Sequence, residues 1–163
     1  MKKLVYLIFI FIVLFNFSYG VDNGINWKNY NNGIKISEKT NKDILLYFYT
    51  TTCHYCKKME EENFSNKKII DLINTNFIPI KINLMENSKI ESDNKKIKNV
   101  RNLAVLYGVQ GTPNLWFLKS NKDKITNIPG FVPTDVFKIM LKFISTEAYK
   151  ETKWKKYYNN NSK

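Results

Sequence analysis

One stretch decides the fold predicted for this chain: Cys53-His54-Tyr55-Cys56. It contains both cysteines and the one histidine of the chain. The residues at 44–49 before it are apolar and aromatic, which predicts a buried strand. The residues at 57–64 after it lack glycine and proline and are rich in helix formers, which predicts a helix. The two cysteines are therefore expected where a strand ends and a helix begins.

That position makes Cys53 a candidate nucleophile. A thiol at a helix N-terminus faces unpaired backbone N–H groups and the positive end of the helix dipole, and both favour the thiolate, which is the reactive form. Cys56 lies within one helical turn, so it is close enough to attack a mixed disulfide formed at Cys53. The threonines at 50–52 are expected to form the turn onto this helix and to cap it.

Three other uses of a cysteine pair compete with redox chemistry. A structural zinc site needs four ligands, and the chain offers Cys53, His54 and Cys56 without a second cluster. Covalent haem attachment requires a histidine where Lys57 stands. A permanently closed structural disulfide would close a very short loop, so it would add little stability. Redox chemistry is the favoured interpretation, and no metal ion or cofactor is predicted.

Length and composition indicate one globular domain with a basic surface. The chain has 163 residues, of which 44% are hydrophobic, and this is enough for a packed core. The formal net charge of +12 would suit nucleic acid or an anionic membrane. The lysines, however, are scattered among asparagines and acidic residues rather than grouped. We therefore predict a solvated surface and no nucleic-acid partner.

The first residues have the three parts of a secretory signal peptide. Lys2 and Lys3 form a basic start, residues 4–15 are apolar, and Ser18 and Gly20 precede an expected cleavage site before Val21. The apolar run is short for a membrane span, although an uncleaved anchor remains an alternative. The chain is thus expected in the periplasm or otherwise exported, where conditions are oxidising.

The rest of the chain predicts an α/β domain. The domain is expected at 21–146, between a signal peptide at 1–20 and a basic C-terminal extension at 147–163. Helices are predicted at 66–74, 100–107 and 133–144, and strands at 77–84, 114–118 and 124–128. Asn66 is the expected cap of the first of these helices, and Thr134 and Asp135 are the expected caps of the last. The order predicts a mixed sheet with helices on both faces.

Four segments give weaker signals. Residues 21–32 are predicted to be a loop, with Ile25, Trp27 and Tyr30 packing back on the domain. Residues 34–41 predict a short helix or an irregular connector. Residues 86–99 are very polar and predict an inserted loop or an exposed helix start. The extension at 147–163 predicts either an appended helix or a fraying polar chain, with its aromatic residues packed on the domain.

Several stretches resemble the thioredoxin superfamily over residues 27–145. The matching residues are Tyr47-Phe48-Tyr49 before the cysteine pair, Lys81-Ile82-Asn83 in the next strand, Tyr107-Gly108-Val109-Gln110-Gly111-Thr112-Pro113 before Leu115-Trp116-Phe117, and Gly130 before the last helix. The resemblance is closest to exported bacterial thioredoxin-like proteins. It implies a thioredoxin fold, with a central mixed sheet flanked by helices on both faces.

The resemblance also implies roles for individual residues. Cys53 would be the attacking thiol and Cys56 the resolving thiol. Pro113 would be cis, so that the Thr112 backbone lies beside the disulfide and pairs with an extended substrate. Lys81 matches a partly buried lysine of the family.

The chain also departs from the thioredoxin pattern. Tyr47 replaces a buried aspartate that takes a proton from the resolving thiol, so that proton route is missing. Thr52 replaces a tryptophan, and His54 and Tyr55 replace Gly-Pro between the cysteines. These differences leave open the reduction potential and the direction of electron transfer.

Together these features predict an exported thiol-disulfide oxidoreductase, with a reductase favoured over an oxidase or isomerase. Its substrates would be proteins with disulfides or dithiols, its electron partner would be in the membrane, and it would be a monomer. His54 would stabilise the thiolate when protonated or else be a solvent-exposed spacer, and Tyr55 would shape the substrate groove. The alternative is a non-enzymatic binding protein with this fold, such as a copper-handling or chaperone module.

Overall fold

The computed structural model describes residues 24–91 and 97–162, so the signal peptide expected at 1–20 lies outside the described residues. Four strands form within them: β1 (Asp43–Tyr49), β2 (Phe77–Asn83), β3 (Asn114–Leu118) and β4 (Lys124–Pro129). The α-helices of the same residues are α1 (Tyr30–Thr40), α2 (His54–Met59), α3 (Lys67–Asn76), α4 (Val100–Leu106), α5 (Thr134–Ser145) and α6 (Trp154–Asn161). None of the described helices is long and apolar enough to cross a membrane.

The sheet has the strand order β2-β1-β3-β4. β1 is parallel to β2 and antiparallel to β3, and β3 and β4 form an antiparallel hairpin. The predicted mixed sheet is therefore confirmed. β1 is buried on both faces because it lies between two strands and under helices on either side. It ends at Tyr49, directly before the turn that leads to the cysteines.

Pro79 is tolerated in β2 because its backbone groups face the outer edge of the sheet. The N–H of Lys28 donates to the Pro79 carbonyl at 2.8 Å, and the N–H of Lys81 donates to the Lys28 carbonyl at 3.1 Å. The backbone groups of residues 79 and 81 therefore point away from β1. The missing N–H of Pro79 costs no hydrogen bond to the central strand.

Helices cover both faces of the sheet, as predicted. On one face α2, α3 and α5 enclose a core that includes Leu45, Tyr47 and Phe117. On the other face α1 and α4 enclose a second core that includes Leu46 and Phe48. The alternation along β1 thus divides its side chains between two hydrophobic layers.

The first helix is longer than the sequence suggested. α1 begins at Tyr30, within the segment predicted to be a loop, because the side chain of Asn29 accepts the N–H of Asn32 and caps the helix. Gly33 stands between the loop predicted at 21–32 and the segment predicted at 34–41. It lies inside the helix, and glycine is needed there because a Cβ at this position would overlap the side chain of Ile80. Glycine here permits a close approach of helix to strand, not a turn.

The polar segment at 86–99 is attached to the domain more firmly than predicted. Ile90 and Ile97 are buried in the second core, and Lys89 forms an isolated antiparallel bridge with Asn99. Two isolated isoleucines carry no periodic signal, so the sequence pattern did not reveal them. Residues 92–96 of this segment lie outside the described residues.

The capping of α3 was predicted correctly and that of α5 was not. The side chain of Asn66 accepts the N–H groups of Lys68 and Ile69, as expected. The N-cap of α5 is Pro133, which has no side chain able to cap. Thr134 instead donates from its hydroxyl to the carbonyl of Glu62 at 3.3 Å, while Asp135 pairs with Lys138.

The C-terminal extension is a docked helical segment. A short 3₁₀ turn (Ala148–Lys150) leads to α6, which packs against α5. The Phe143 ring on α5 meets the rings of Trp154 at 5.5 Å and Tyr157 at 4.9 Å between centroids. The predicted packing of these aromatic residues on the domain is confirmed for both.

Candidate active site

Cys53 and Cys56 form a disulfide at the C-terminal end of β1, with their Cα atoms 5.2 Å apart. Cys53 is itself the N-cap of α2, and its Sγ accepts the N–H of Cys56 at 3.0 Å. The prediction that the preceding threonines cap this helix is therefore wrong. The sulfur occupies the position that a capping hydroxyl would take, so it receives the backbone donor directly.

The two sulfurs differ in their access to solvent. Cys53 is partly exposed, whereas Cys56 is 1% exposed and belongs to the buried side of α2. An external thiol or disulfide therefore reaches Cys53 first. Once the disulfide is open, the N–H of Cys56 and the start of the helix favour negative charge on Cys53.

A second backbone segment lies against the disulfide. The Thr112-Pro113 peptide bond is cis, as the resemblance implied. The Thr112 carbonyl oxygen is 3.3 Å from Cys53 Sγ, so it can accept a hydrogen bond from that sulfur when it is a thiol. Beyond it, the N–H of Gly130 donates to the Pro113 carbonyl at 2.8 Å. Residues distant in sequence thus meet around Cys53.

Two large side chains are exposed around this site. Tyr55 is 57% exposed, and the ring of exposed His54 meets it edge-on at 5.5 Å between centroids. Met85 is 56% exposed and accepts a hydrogen bond at its sulfur from the Thr51 hydroxyl at 3.2 Å. Sequence reasoning missed Met85, because it lies in the turn after β2 and has no local signal.

Tyr47 lies beneath the active-site helix in an aromatic cluster. Its ring packs against those of Trp27, Tyr49 and Phe64 at 5.0–5.7 Å between centroids. Its hydroxyl is buried without a hydrogen-bond partner among the described residues. Burial, and next the negative charge of Glu60, raise the pKa of Tyr47 well above its usual value. Tyr47 therefore stays protonated and cannot act as the base that an aspartate would supply.

A carboxylate reaches the same region from the helix instead. Glu60 lies four residues after Cys56, and its N–H donates to the Cys56 carbonyl, which places the two side chains on the same helix face. Glu60 Oε1 is 2.9 Å from Lys81 Nζ. Lys81 also lies over the Tyr49 ring at 4.5 Å, so in the described chain it contacts Glu60 and aromatic rings rather than the cysteines. Sequence reasoning missed Glu60, although its spacing from Cys56 was a usable signal.

A metal site requires a cluster of ligand side chains. Within residues 24–91 and 97–162, no group of three or more histidine, cysteine, aspartate or glutamate side chains is arranged to hold a metal ion. The copper-handling alternative therefore gains no support from the geometry.

The chain is similar to a known protein family and to several curated proteins. A family model described as "Thioredoxin-like domain" matches residues 30–145. The thiol:disulfide interchange protein DsbD of Campylobacter jejuni is 33% identical over 94 residues, which cover 58% of this chain and 15% of that protein. An uncharacterized protein of Caenorhabditis elegans, B0495.5, is 29% identical over 136 residues, 83% of this chain and 18% of that protein. The chain spans at most half the length of the first curated relatives that it matches.

Solved structures show the same fold at lower identity. A thioredoxin-fold protein from Helicobacter pylori aligns with a TM-score of 0.61 and 23% identity, over 87% of this chain and 89% of that chain. DsbH oxidoreductase aligns with a TM-score of 0.57 and 18% identity, over 76% and 85% of the two chains.

Proposed function

Because this chain belongs to the thioredoxin-like domain family, we propose that it is a thiol-disulfide oxidoreductase that exchanges disulfides with proteins through Cys53 and Cys56. One observation carries the proposal. A partly exposed cysteine at a helix start is bonded to a buried cysteine one turn later, beside a cis X-Pro segment. A purely structural disulfide needs neither the difference in access nor the backbone donor at the exposed sulfur.

The proposed reaction begins with the reduced protein. The Cys53 thiolate attacks one sulfur of a substrate disulfide, forms a mixed disulfide and displaces the other substrate sulfur, which takes up a proton from water. Cys56 then loses its proton and attacks Cys53 Sγ. The substrate leaves as a dithiol, and the Cys53–Cys56 disulfide has formed. The protein is oxidised by two electrons and the substrate is reduced by two.

Glu60 is the proposed acceptor of the Cys56 proton. Cys56 is buried, so water has poor access to its thiol, and a base on the same helix face supplies what the strand lacks. Lys81 holds the Glu60 carboxylate by an ion pair at 2.9 Å. Thr112 would pair with the substrate backbone, while Tyr55 and His54 flank the groove.

The proposed setting is outside the cytoplasm, with a reductase direction. The signal-like start of the sequence supports export, and the thiol:disulfide interchange for which the Campylobacter jejuni relative is named supports exchange with other proteins. A reductase in an oxidising compartment needs a continuous supply of electrons. We propose a membrane dithiol protein as that donor and a monomer as the working form.

Trapping of the mixed disulfide tests this function. Cys56→Ser should form a stable mixed disulfide with substrate proteins, visible on a non-reducing gel and lost on reduction. Cys53→Ser, the matched control, should trap nothing and should have no exchange activity. Equal trapping by both variants, or none by either, would contradict the proposal. In the unmodified protein, a reduction potential of about −270 mV supports a reductase, and one of about −120 mV would instead indicate an oxidase.

A further inference from the structure

The helix that carries the cysteines does not continue as a regular α-helix. After α2 the chain forms a π-helical turn at Glu60–Phe64. Such turns are rare and insert one extra residue into a helix, often next to functional sites. Here the turn leaves Asn63 and Phe64 both buried, on the side of the helix that faces the core. Below we call Gly130, Phe131 and Val132 the 130–132 segment.

Asn63 is a costly residue at this position. Its side chain is fully buried, and its Oδ1 has no hydrogen-bond partner among the described residues. A buried amide with an unsatisfied oxygen is less favourable than an apolar side chain of the same size. Packing alone therefore does not explain an asparagine here. Its Nδ2 is 3.2 Å from Met59 Sδ and donates to the Val132 carbonyl at 2.9 Å.

The Val132 bond joins the active-site helix to the backbone around the disulfide. The 130–132 segment connects β4 to α5, and its other end is held where the Gly130 N–H donates to the Pro113 carbonyl. The Thr112 carbonyl then lies 3.3 Å from Cys53 Sγ. These contacts form a closed ring that runs from Cys53 down its helix to Asn63 and back to Cys53.

Two further contacts lie beside this bond, one from the 130–132 segment and one from the start of α5 directly after it. The Thr134 hydroxyl donates to the Glu62 carbonyl at 3.3 Å, and Lys58 Nζ lies 4.6 Å from the centre of the Phe131 ring. Both are partly exposed to water, so each is individually weaker than the buried bond. The hydrogen bond from Asn63 is therefore the strongest of these three polar contacts.

We propose that Asn63 is a positioning residue: it holds the 130–132 segment, and through it the Thr112-Pro113 backbone, at a fixed distance from Cys53. This rests on the proposed function, in which Thr112 aligns an extended substrate. Asn63 acts on the alignment of a polypeptide and not on the chemistry of the sulfurs. It does not touch either cysteine, and the donor to Cys53 Sγ is the N–H of Cys56.

Asn63→Leu, which keeps the number and the branching of the side-chain heavy atoms and removes the donor, tests this role. We expect KM for insulin, with dithiothreitol as the electron source, to rise about three- to tenfold, the equivalent of one net hydrogen bond. The maximal rate with hydroxyethyl disulfide, which has no backbone to align, and the reduction potential should stay unchanged. Ser37→Ala is the matched control, because it also removes a buried side-chain bond to a carbonyl, that of Lys42, but on the opposite face of the sheet.

The outcomes separate the two proposals. An unchanged KM for insulin, an equal loss with both disulfides, or the same rise in Ser37→Ala would overturn the role of Asn63. Absence of exchange in the unmodified protein would instead reject the proposed function. If Asn63→Leu does not fold, Asn63→Ala removes the same donor without adding volume to the core and should raise KM for insulin alone. An unchanged KM in that variant would also overturn the role.

Discussion

At the scale of single residues, the carboxylate of the site lies on the helix that carries the cysteines and not on the central strand. The position where the resemblance expects a buried aspartate holds Tyr47, whose raised pKa keeps it neutral. The carboxylate comes from Glu60, which Lys81 pairs with across the end of β2. The aromatic ring fills the space in the core, while the charge remains near enough to solvent to be hydrated.

Glu60→Gln should slow the resolving step. Glutamine keeps the shape and cannot accept the Cys56 proton, so we expect the mixed disulfide to decay about 100-fold more slowly, at the lower end of general-base effects. Acid quenching followed by mass spectrometry measures that intermediate. Glu61→Gln changes the neighbouring exposed carboxylate and should leave the decay unaltered. An equal rate in both variants would argue for water as the base.

Residue-scale predictions succeeded where the signal was local. The cysteine pair could be expected from a short motif, and the cis Pro113 from the resemblance to the thioredoxin superfamily. The capping by Cys53 itself could not, because three threonines precede it and hydroxyls are the commoner caps. The contact of Asn63 with Val132 joins residues far apart in the chain, so no local pattern contains it. The spacing of Glu60 from Cys56 was a local signal, but the ion pair of Glu60 with Lys81 was not.

At the scale of elements, the approach of α1 to β2 depends on Gly33. A Cβ there would overlap the Ile80 side chain, which is fully buried, so either that side chain or the helix would have to shift. Gly33 stands between the loop predicted at 21–32 and the weak helix signal at 34–41, and an isolated glycine usually weakens a helix prediction. The π-helical turn was likewise unpredictable, because its residues are ordinary helix formers.

Gly33→Ala should destabilise the protein. Alanine favours a helix by about 1 kcal/mol over glycine, but overpacking in a core costs about 1–3 kcal/mol. We expect the cost of the overlap to exceed the gain in helix propensity. Urea unfolding measures the change. Gly111→Ala adds the same methyl group where it would meet no atom within 4 Å, and should change stability by less than about 0.5 kcal/mol. A stabilised Gly33→Ala would mean that α1 can shift freely.

At the scale of the whole molecule, one lysine ties the C-terminal extension to the sheet. Lys119 follows β3, and it pairs with Asp43 at the start of β1 and with Glu147. Burial alone would lower the pKa of Lys119, but hydrogen bonds to Glu147 and Asp43 outweigh burial and raise it. This junction lies at the end of β1 opposite the cysteines. The extension was predicted as a separate basic piece, because ion pairs between distant residues leave no pattern in sequence.

The Glu147 pair should contribute stability in a defined pH range. Hydrogen bonds from Lys119 and Lys150 lower the pKa of Glu147 from 4.5 to about 2. A lowered folded-state pKa adds stability that is fully present above pH 4.5 and lost as the pH falls through about 2. Glu147→Gln should therefore lower Tm by a constant amount above pH 4.5, and the difference should shrink below it. Thermal melts from pH 2 to 7 measure this, and a difference at pH 2 as large as that at pH 7 would refute it.

The position of Pro79 also bears on how the protein behaves at high concentration. An incoming strand needs free N–H and C=O groups at a sheet edge, and on the β2 side Pro79 has no N–H to offer while Lys28 already occupies the neighbouring groups. Aggregation by strand addition is therefore blocked along that edge. Among the described strands, the other edge of the sheet is β4, which ends in Pro129 and pairs with β3 through an irregular register.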